Sequence, residues 1–213
     1  MFVRVPKFIQ RLFPSLIWRK KTDNKEIWLT FDDGPEENIT DFILSTLKEL
    51  NIKATFFLIG EQIIKFPELT KKILNNGHCI GNHSLSHING YIANNQKYLY
   101  DVEMAEKLIN EKRVEVGITQ KIKIFRPPFG RIKPSQIKLL KGKYKIIMWD
   151  IFSWDFKRNI SRQKLYDNII KNVCSGSIIV FHNNNKSADS LSKSLKSILV
   201  KLKDEGYSFS TTW

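Results

Sequence analysis

Short apolar or β-branched segments alternate along the chain with longer segments in which apolar residues recur every three or four positions. The short segments are bounded by Gly, Pro or Asn and predict strands, and the longer ones predict amphipathic helices. The predicted strands are Ile27–Phe31, Ala54–Leu58, Cys79–Asn82, Ile124–Arg126, Ile146–Trp149, Ile178–Phe181 and Ser208–Thr211. The predicted helices are Asp41–Leu50 (with Thr40 as its N-cap), Pro67–Leu74, Gln96–Glu115, Pro134–Leu140, Ser161–Val173 and Leu191–Glu205.

This alternation predicts an α/β fold in which helices cover a parallel sheet. The periodicity fits an open sheet and a closed barrel equally well. In either case, functional side chains are expected just beyond the carboxyl ends of the strands. A length of 213 residues fits a single domain, and no internal repeat or low-complexity linker divides the chain.

The charge balance at first favours a nucleic acid or another anionic partner. Lys and Arg number 35 against 21 Asp and Glu, which gives a formal net charge of +14. However, the lysines are spread along the predicted helices, and no zinc-finger spacing, recognition-helix signature or aromatic RNA-binding motif accompanies them. We therefore interpret the excess as a solvated basic surface and expect no nucleic-acid partner.

Residues 1–24 form a basic and aromatic lead-in to a main domain that we place at residues 25–213. Arg11 and Pro14 interrupt its apolar run, so no cleavable signal peptide is predicted, and no stretch approaches the roughly 18 to 20 apolar residues of a membrane span. The favoured interpretation is that its aromatic residues pack on the domain. The alternative is contact of residues 1–21 with an anionic membrane surface. The expected location is the cytoplasm or the membrane periphery.

Two groups of polar residues after the strands suggest a metal site. Asp32 and Asp33 follow the first strand, where a cation or an arginine would offset the repulsion between adjacent carboxylates. The alternative is that these residues only form a turn, since Asp-Gly and Gly-Pro both favour chain reversal. His83 and His87 are four residues apart, so one helical turn would place both imidazoles on one face as ligands of a divalent metal.

The later strands end in further candidates. Arg126 precedes two prolines that could fix it where it meets a carboxylate, although a surface arginine on a rigid loop is the alternative. Trp149 opens a run of aromatic and acidic residues that suits either a sugar-binding pocket or ordinary packing. His182 ends the sixth strand, a natural position for a general acid or base. His78 precedes its strand and is interpreted as structural.

Taken together, these motifs resemble those of the polysaccharide deacetylases, the NodB-homology group also called carbohydrate esterase family 4. The resemblance begins with Thr30-Phe31-Asp32-Asp33-Gly34-Pro35, continues through His83-Ser84-Leu85-Ser86-His87 and Arg126-Pro127-Pro128-Phe129-Gly130, and ends with Phe181-His182. It covers about Lys25 to Trp213. It implies a single-domain distorted (β/α)7 barrel and one divalent metal ion, most often zinc, with cobalt as an alternative.

The resemblance also assigns roles to individual residues. The implied metal ligands are Asp33, His83 and His87. The implied catalytic residues are Asp32 as general base, Arg126 as its ion-pair partner, His182 as the acid that protonates the leaving amine, and Asp155, which tunes the pKa of His182. The backbone N–H of Phe129 would help to hold the oxyanion.

This chain departs from the family pattern in the substrate pocket. Phe152 and Phe156 stand where the fourth motif usually has an aspartate and a tryptophan, so Trp154 is expected to replace the pocket tryptophan in part. Phe129 stands where a tyrosine is common. Asn183-Asn184-Asn185 follow His182, where an acidic residue is frequent. These changes affect the expected substrate more than the expected chemistry.

The activity implied is a metal-dependent hydrolysis that removes N-linked acetyl groups from amino-sugar polymers or oligosaccharides and releases acetate. One alternative is an esterase that removes O-acetyl groups from a polysaccharide. The other is a catalytically silent, carbohydrate-binding descendant of the fold. The sequence leaves the identity of the glycan and the oligomeric state open.

Overall fold

The computed structural model describes residues 2–119 and 123–213. Its eight strands are β1 Glu26–Asp32, β2 Thr55–Leu58, β3 Cys79–Asn82, β4 Ile124–Phe125, β5 Lys145–Ile146, β6 Ile151–Phe152, β7 Ile178–His182 and β8 Ser208–Phe209. Its eight α-helices are α1 Lys7–Leu12, α2 Ile39–Glu49, α3 Gly60–Lys65, α4 Pro67–Asn75, α5 Asn95–Glu115, α6 Pro134–Leu140, α7 Arg162–Ile170 and α8 Ala188–Asp204.

Seven strands form one parallel row in the order β5-β4-β3-β2-β1-β7-β6, and β8 pairs with the start of β1. Because every strand of this row runs in the same direction, the residues that follow the strands meet at one edge. Asp32 at the end of β1 lies beside His182 at the end of β7 and beside Phe57 of β2. The predicted α/β fold, a distorted (β/α)7 barrel in a single domain, is confirmed.

Several predicted boundaries are wrong. The strand expected at Ile146–Trp149 ends at Ile146, and the two-residue strand β6 was missed because it is too short to show a period. The short helix α3 was also missed. Thr40 is not an N-cap, since Asn38 occupies that position and the Thr40 hydroxyl, inside the first turn of the helix, donates to the backbone oxygen of Glu36 before it.

The central strands are apolar on both faces, as expected for a sheet that helices cover. Every residue of β2 is buried, and Leu29 and Phe31 of β1 pack beneath the helices with Ile43 and Leu195 of α2 and α8. His78, which we expected to be structural, is buried, and its Nδ1 accepts the backbone N–H of Ala54 at 3.2 Å. Burial lowers the pKa of His78 to about 4, so the imidazole is neutral at physiological pH.

The N-terminal segment lies between β5 and β6, the two strands that end the row. Ile17 forms a parallel bridge with Ile147, and Arg4 forms an antiparallel bridge with Ile151. The guanidinium of Arg4 also makes two hydrogen bonds to the buried carboxylate of Asp150, at 3.1 and 3.2 Å. The row of strands is open between β5 and β6, and the N-terminal segment therefore fills this opening in the barrel.

The predicted packing of this segment holds for only some of its apolar residues. Leu16 and Trp18 are buried in the core, whereas Phe2, Phe8 and Leu12 are 68%, 63% and 69% exposed. None of the helices in the described ranges is both long enough and apolar enough to cross a membrane.

Candidate metal centre and active site

Asp33, His83 and His87 meet at the carboxyl edge of the sheet and form a three-residue donor set. Asp33 Oδ1 lies 3.4 Å from His83 Nε2 and 3.3 Å from His87 Nε2, and the three ligand atoms all lie within 4.8 Å of one another. Two donors bound tetrahedrally to zinc at about 2.0–2.1 Å are roughly 3.4 Å apart. The three residues therefore fit one divalent cation, with further positions left for water or substrate.

The protonation of this set also suits a cation. His83 is buried and its Nδ1 lies 2.8 Å from the backbone oxygen of Arg126, which places a proton on Nδ1 and makes Nε2 the ring nitrogen that would bind a metal. Burial raises the pKa of the Asp33 carboxyl, but the His83 and His87 imidazoles beside it outweigh burial and hold that pKa well below its ordinary value. Asp33 is therefore ionised at neutral pH.

The two histidines do not lie on a helical turn, so that part of the prediction is wrong. They are carried by an irregular loop in which Ser84 and His87 have positive φ angles of 66° and 54°. Asp101 of α5 braces the loop by accepting the backbone N–H of Leu85 at 2.8 Å and the hydroxyl of Ser86 at 2.7 Å. These contacts hold the strained backbone in the conformation that brings both imidazoles to Asp33.

The structure places Arg126 against Asp32, the predicted base. Both side chains are buried, and Arg126 Nη1 donates to Asp32 Oδ1 at 2.7 Å and to the Thr30 hydroxyl at 2.7 Å. Arg126 Nη2 donates to the backbone oxygen of Met148 at 2.8 Å. Since one carboxylate oxygen is held by the guanidinium, the other is the oxygen left to accept a proton.

His182 and Asp155 form a second charged pair, and His182 lines the same pocket as the donor set. His182 Nδ1 lies 2.7 Å from Asp155 Oδ1, and Asp155 Oδ2 accepts the backbone N–H of His182 at 2.7 Å. Burial lowers the pKa of His182, but the Asp155 carboxylate outweighs burial and raises that pKa to about 9. His182 is therefore protonated at neutral pH, and Nε2 is the ring nitrogen left to act on a substrate.

Aromatic rings form much of the pocket wall around these groups. The cavity measures about 220 Å³, below the roughly 300 Å³ lower end for sites that enclose a drug-sized ligand. This size suits one unit of a longer polymer. The cavity is lined by the metal and acid–base residues together with Pro127, Phe129, Trp149, Phe152, Phe156, Asn184 and Lys186.

The predicted aromatic residues have different positions in this wall. Trp149 and Phe129 line the pocket, and the ring of Phe129 packs 4.4 Å from that of His87. Trp154 was expected in the wall; its ring packs 4.7 Å from that of Phe152, and it is not among the residues that line the cavity. Phe152 and Phe156 form the wall and pack edge-on against the imidazole of His182.

Asn184 and Lys186 also line the pocket, although no motif in the sequence predicts a role for either. The only signal was the run Asn183-Asn184-Asn185 directly after His182, where the family pattern often has an acid. In the folded protein, Asn184 Nδ2 donates to Asp33 Oδ2 at 2.7 Å. This contact joins residues 151 positions apart, so local sequence could not indicate it.

Comparison with known proteins supports the resemblance in sequence motifs. The chain matches the family model for polysaccharide deacetylases over residues 19–143. A peptidoglycan-N-acetylglucosamine deacetylase of Bacillus cereus is 37% identical over 192 residues, which are 87% of this chain and 66% of that relative. The chain thus spans just under two thirds of that relative.

Solved structures with the same fold include both an enzyme and a pseudoenzyme. A crystal structure of a peptidoglycan N-acetylglucosamine deacetylase bound to an N-hydroxybenzamide compound matches with a TM-score of 0.87 at 32% identity, covering 97% of this chain and 94% of the other. A carbohydrate esterase family 4 pseudoenzyme from Bacillus anthracis matches with a TM-score of 0.81 at 25% identity, covering 92% and 66%. From its sequence match and its fold, this chain is a member of the polysaccharide deacetylase family.

Proposed function

We propose that this protein is a metal-dependent hydrolase that removes acetyl groups from the nitrogen of amino sugars and releases acetate. The observation that carries the proposal is the Asp33–His83–His87 donor set with Asp32 and His182 beside it in one pocket. The relatives named as peptidoglycan N-acetylglucosamine deacetylases support N-acetylglucosamine units of peptidoglycan as the substrate.

The chemistry follows from these groups. A divalent cation held by the donor set would polarise the acetyl carbonyl and lower the pKa of water, and zinc suits one carboxylate and two imidazoles. Asp32, held by Arg126, would take a proton from the attacking water. The backbone N–H of Phe129 would meet the negative charge that develops on the carbonyl oxygen. His182 would then protonate the amine as the C–N bond breaks.

The catalytically silent alternative is less well supported by the site. A silent descendant is expected to lack a ligand or the base, whereas this chain has all three donors, the Asp32–Arg126 pair and the His182–Asp155 pair. The O-acetyl esterase alternative uses the same groups. It differs in the leaving atom, since an alkoxide oxygen replaces the amine nitrogen.

An acetate-release assay on paired substrates tests the proposal. We expect acetate from N-acetylglucosamine oligomers and peptidoglycan, loss of release after chelation, and recovery when zinc or cobalt is added back. Faster release from an O-acetylated xylan would favour the esterase. No release from any acetylated glycan by protein that contains zinc would favour the silent alternative, and His83→Ala serves as the metal-deficient control.

We also propose that helix α1, the exposed part of residues 1–21, contacts an anionic membrane surface. Phe8 and Leu12 of α1 are exposed beside Lys7 and Arg11, a combination that suits the boundary between lipid headgroups and acyl chains. We expect the protein to sediment with phosphatidylglycerol vesicles more than with phosphatidylcholine vesicles. Replacing both Phe8 and Leu12 by Ser should reduce this binding, whereas Ile64→Ser, at another exposed apolar position, should not. Equal sedimentation with both vesicles would contradict the proposal.

A further inference from the structure

The two carboxylate oxygens of Asp33 have different partners. Oδ1 faces the Nε2 atoms of His83 and His87, at 3.4 and 3.3 Å, and is the oxygen placed to bind a cation. Oδ2 accepts the Nδ2–H of Asn184 at 2.7 Å. The hydrogen bond therefore leaves a single oxygen of this ligand directed into the donor set.

The orientation of the Asn184 amide is fixed by the turn that leads into α8. Its Oδ1 accepts the backbone N–H of Lys186 at 3.0 Å and that of Ser187 at 3.2 Å. Backbone N–H groups can only donate, so the amide oxygen must face them and the amide nitrogen must face Asp33. Asn184 thus links the start of α8 to the carboxylate, with both ends of its amide satisfied.

The backbone next to Asp33 permits this approach. The two residues come from the ends of neighbouring strands, because β1 leads into Asp33 and β7 leads into Asn184. Gly34 lies against the side chain of Asn183, where a Cβ at residue 34 would overlap the Asn183 amide. A glycine after Asp33 therefore lets the two loops pack closely enough for the hydrogen bond.

We propose that Asn184 is a positioning residue that holds Asp33 as a one-oxygen metal ligand. Hydrogen bonds from such outer residues fix the orientation of a ligand, and their loss typically weakens metal binding about 10- to 100-fold. The inference rests on the proposed metal-dependent function. It assigns a role to a residue that does not touch the cation itself.

Zinc affinity of three variants tests this role. Asn184→Ser keeps an oxygen that can accept the backbone N–H groups of the turn but is too short to reach Asp33. Asn184→Ala removes both interactions, and Asn185→Ser changes an exposed neighbour as a matched control. We expect zinc dissociation constants, measured by competition with a chromogenic chelator, to rise about 10- to 100-fold in the Ser and Ala variants at position 184 and to stay unchanged in Asn185→Ser.

The possible outcomes distinguish a failure of the positioning role of Asn184 from a failure of the proposed metal-dependent function. If Asn184→Ser binds zinc as tightly as the wild type while Asn184→Ala does not, Asn184 only supports the turn and the positioning role is overturned. The role is also overturned if neither variant at position 184 changes the zinc affinity. If the wild type itself does not bind about one zinc ion per chain, the proposed metal-dependent function fails, and this role fails with it. Circular dichroism of the metal-free variants checks that each is folded.

Discussion

We expect Asp32→Asn to lower the turnover number for acetate release by roughly 10²- to 10⁴-fold, the usual contribution of a positioned general base, and to leave zinc binding nearly unchanged. The amide has almost the same shape as the carboxylate but cannot take a proton from water. Asp32 is paired with Arg126 at 2.7 Å rather than placed in the donor set, so metal binding does not depend on it directly. The measurement is kcat together with the zinc content of the purified variant.

The control for this prediction is Asp41→Asn, which removes an exposed carboxylate from α2 and should retain full activity. A zinc-loaded Asp32→Asn protein with wild-type kcat would overturn the assignment of Asp32 as base. Loss of zinc from the variant would instead mean that Asp32 contributes to the metal site.

We expect His182→Asn to lower kcat by roughly 10²- to 10⁴-fold and to remove the alkaline decline of the rate, because the group that protonates the amine is lost. In the wild type, the His182 imidazole can protonate the amine only when it carries a proton itself. Burial by itself would lower the pKa of His182, but the Asp155 carboxylate outweighs burial and raises this pKa to about 9. Activity should therefore persist through neutral pH and fall as the pH rises through about 9.

Asp155→Asn tests the cause of that pKa. The substitution removes the negative charge 2.7 Å from His182 Nδ1, so the pKa of His182 should fall and the alkaline decline should move to lower pH. The measurement is a pH profile of kcat for both proteins at saturating zinc. An unchanged alkaline limb in Asp155→Asn would show that His182 does not determine it, and Asp167→Asn, on the surface of α7, is the control.

The fold class could be predicted because parallel strands that helices cover leave a strong local pattern. The long helix α5 and helix α6 were located to within one residue, since apolar periodicity and N-terminal signals such as Pro134 act within a few positions. The two-residue strand β6 has no such pattern. It exists because backbone groups of β7 pair with it, and the sequence of Ile151–Phe152 alone contains no sign of that pairing.

The candidate site, like the fold, could be predicted from the sequence only in part. Its residue types were identified because each follows a strand, and a parallel sheet brings such positions to one edge whatever their distance in sequence. The partners inside the site could be named only through the family resemblance, since Arg126 and Asp32 are 94 positions apart. The resemblance gave no position for the side chains that depart from the family pattern, such as Phe152 and Phe156, which line the pocket.

The sequence by itself determined most of the strands and helices, the family, and the residues predicted to bind the metal and to act as acid and base, because these depend on local periodicity and on motifs a few residues long. The tertiary structure alone decided three further features: the irregular loop that Asp101 braces around His83 and His87, the N-terminal segment between β5 and β6, and the hydrogen bond from Asn184 to Asp33. Each depends on contacts between distant segments, whose geometry is fixed only when the whole barrel packs.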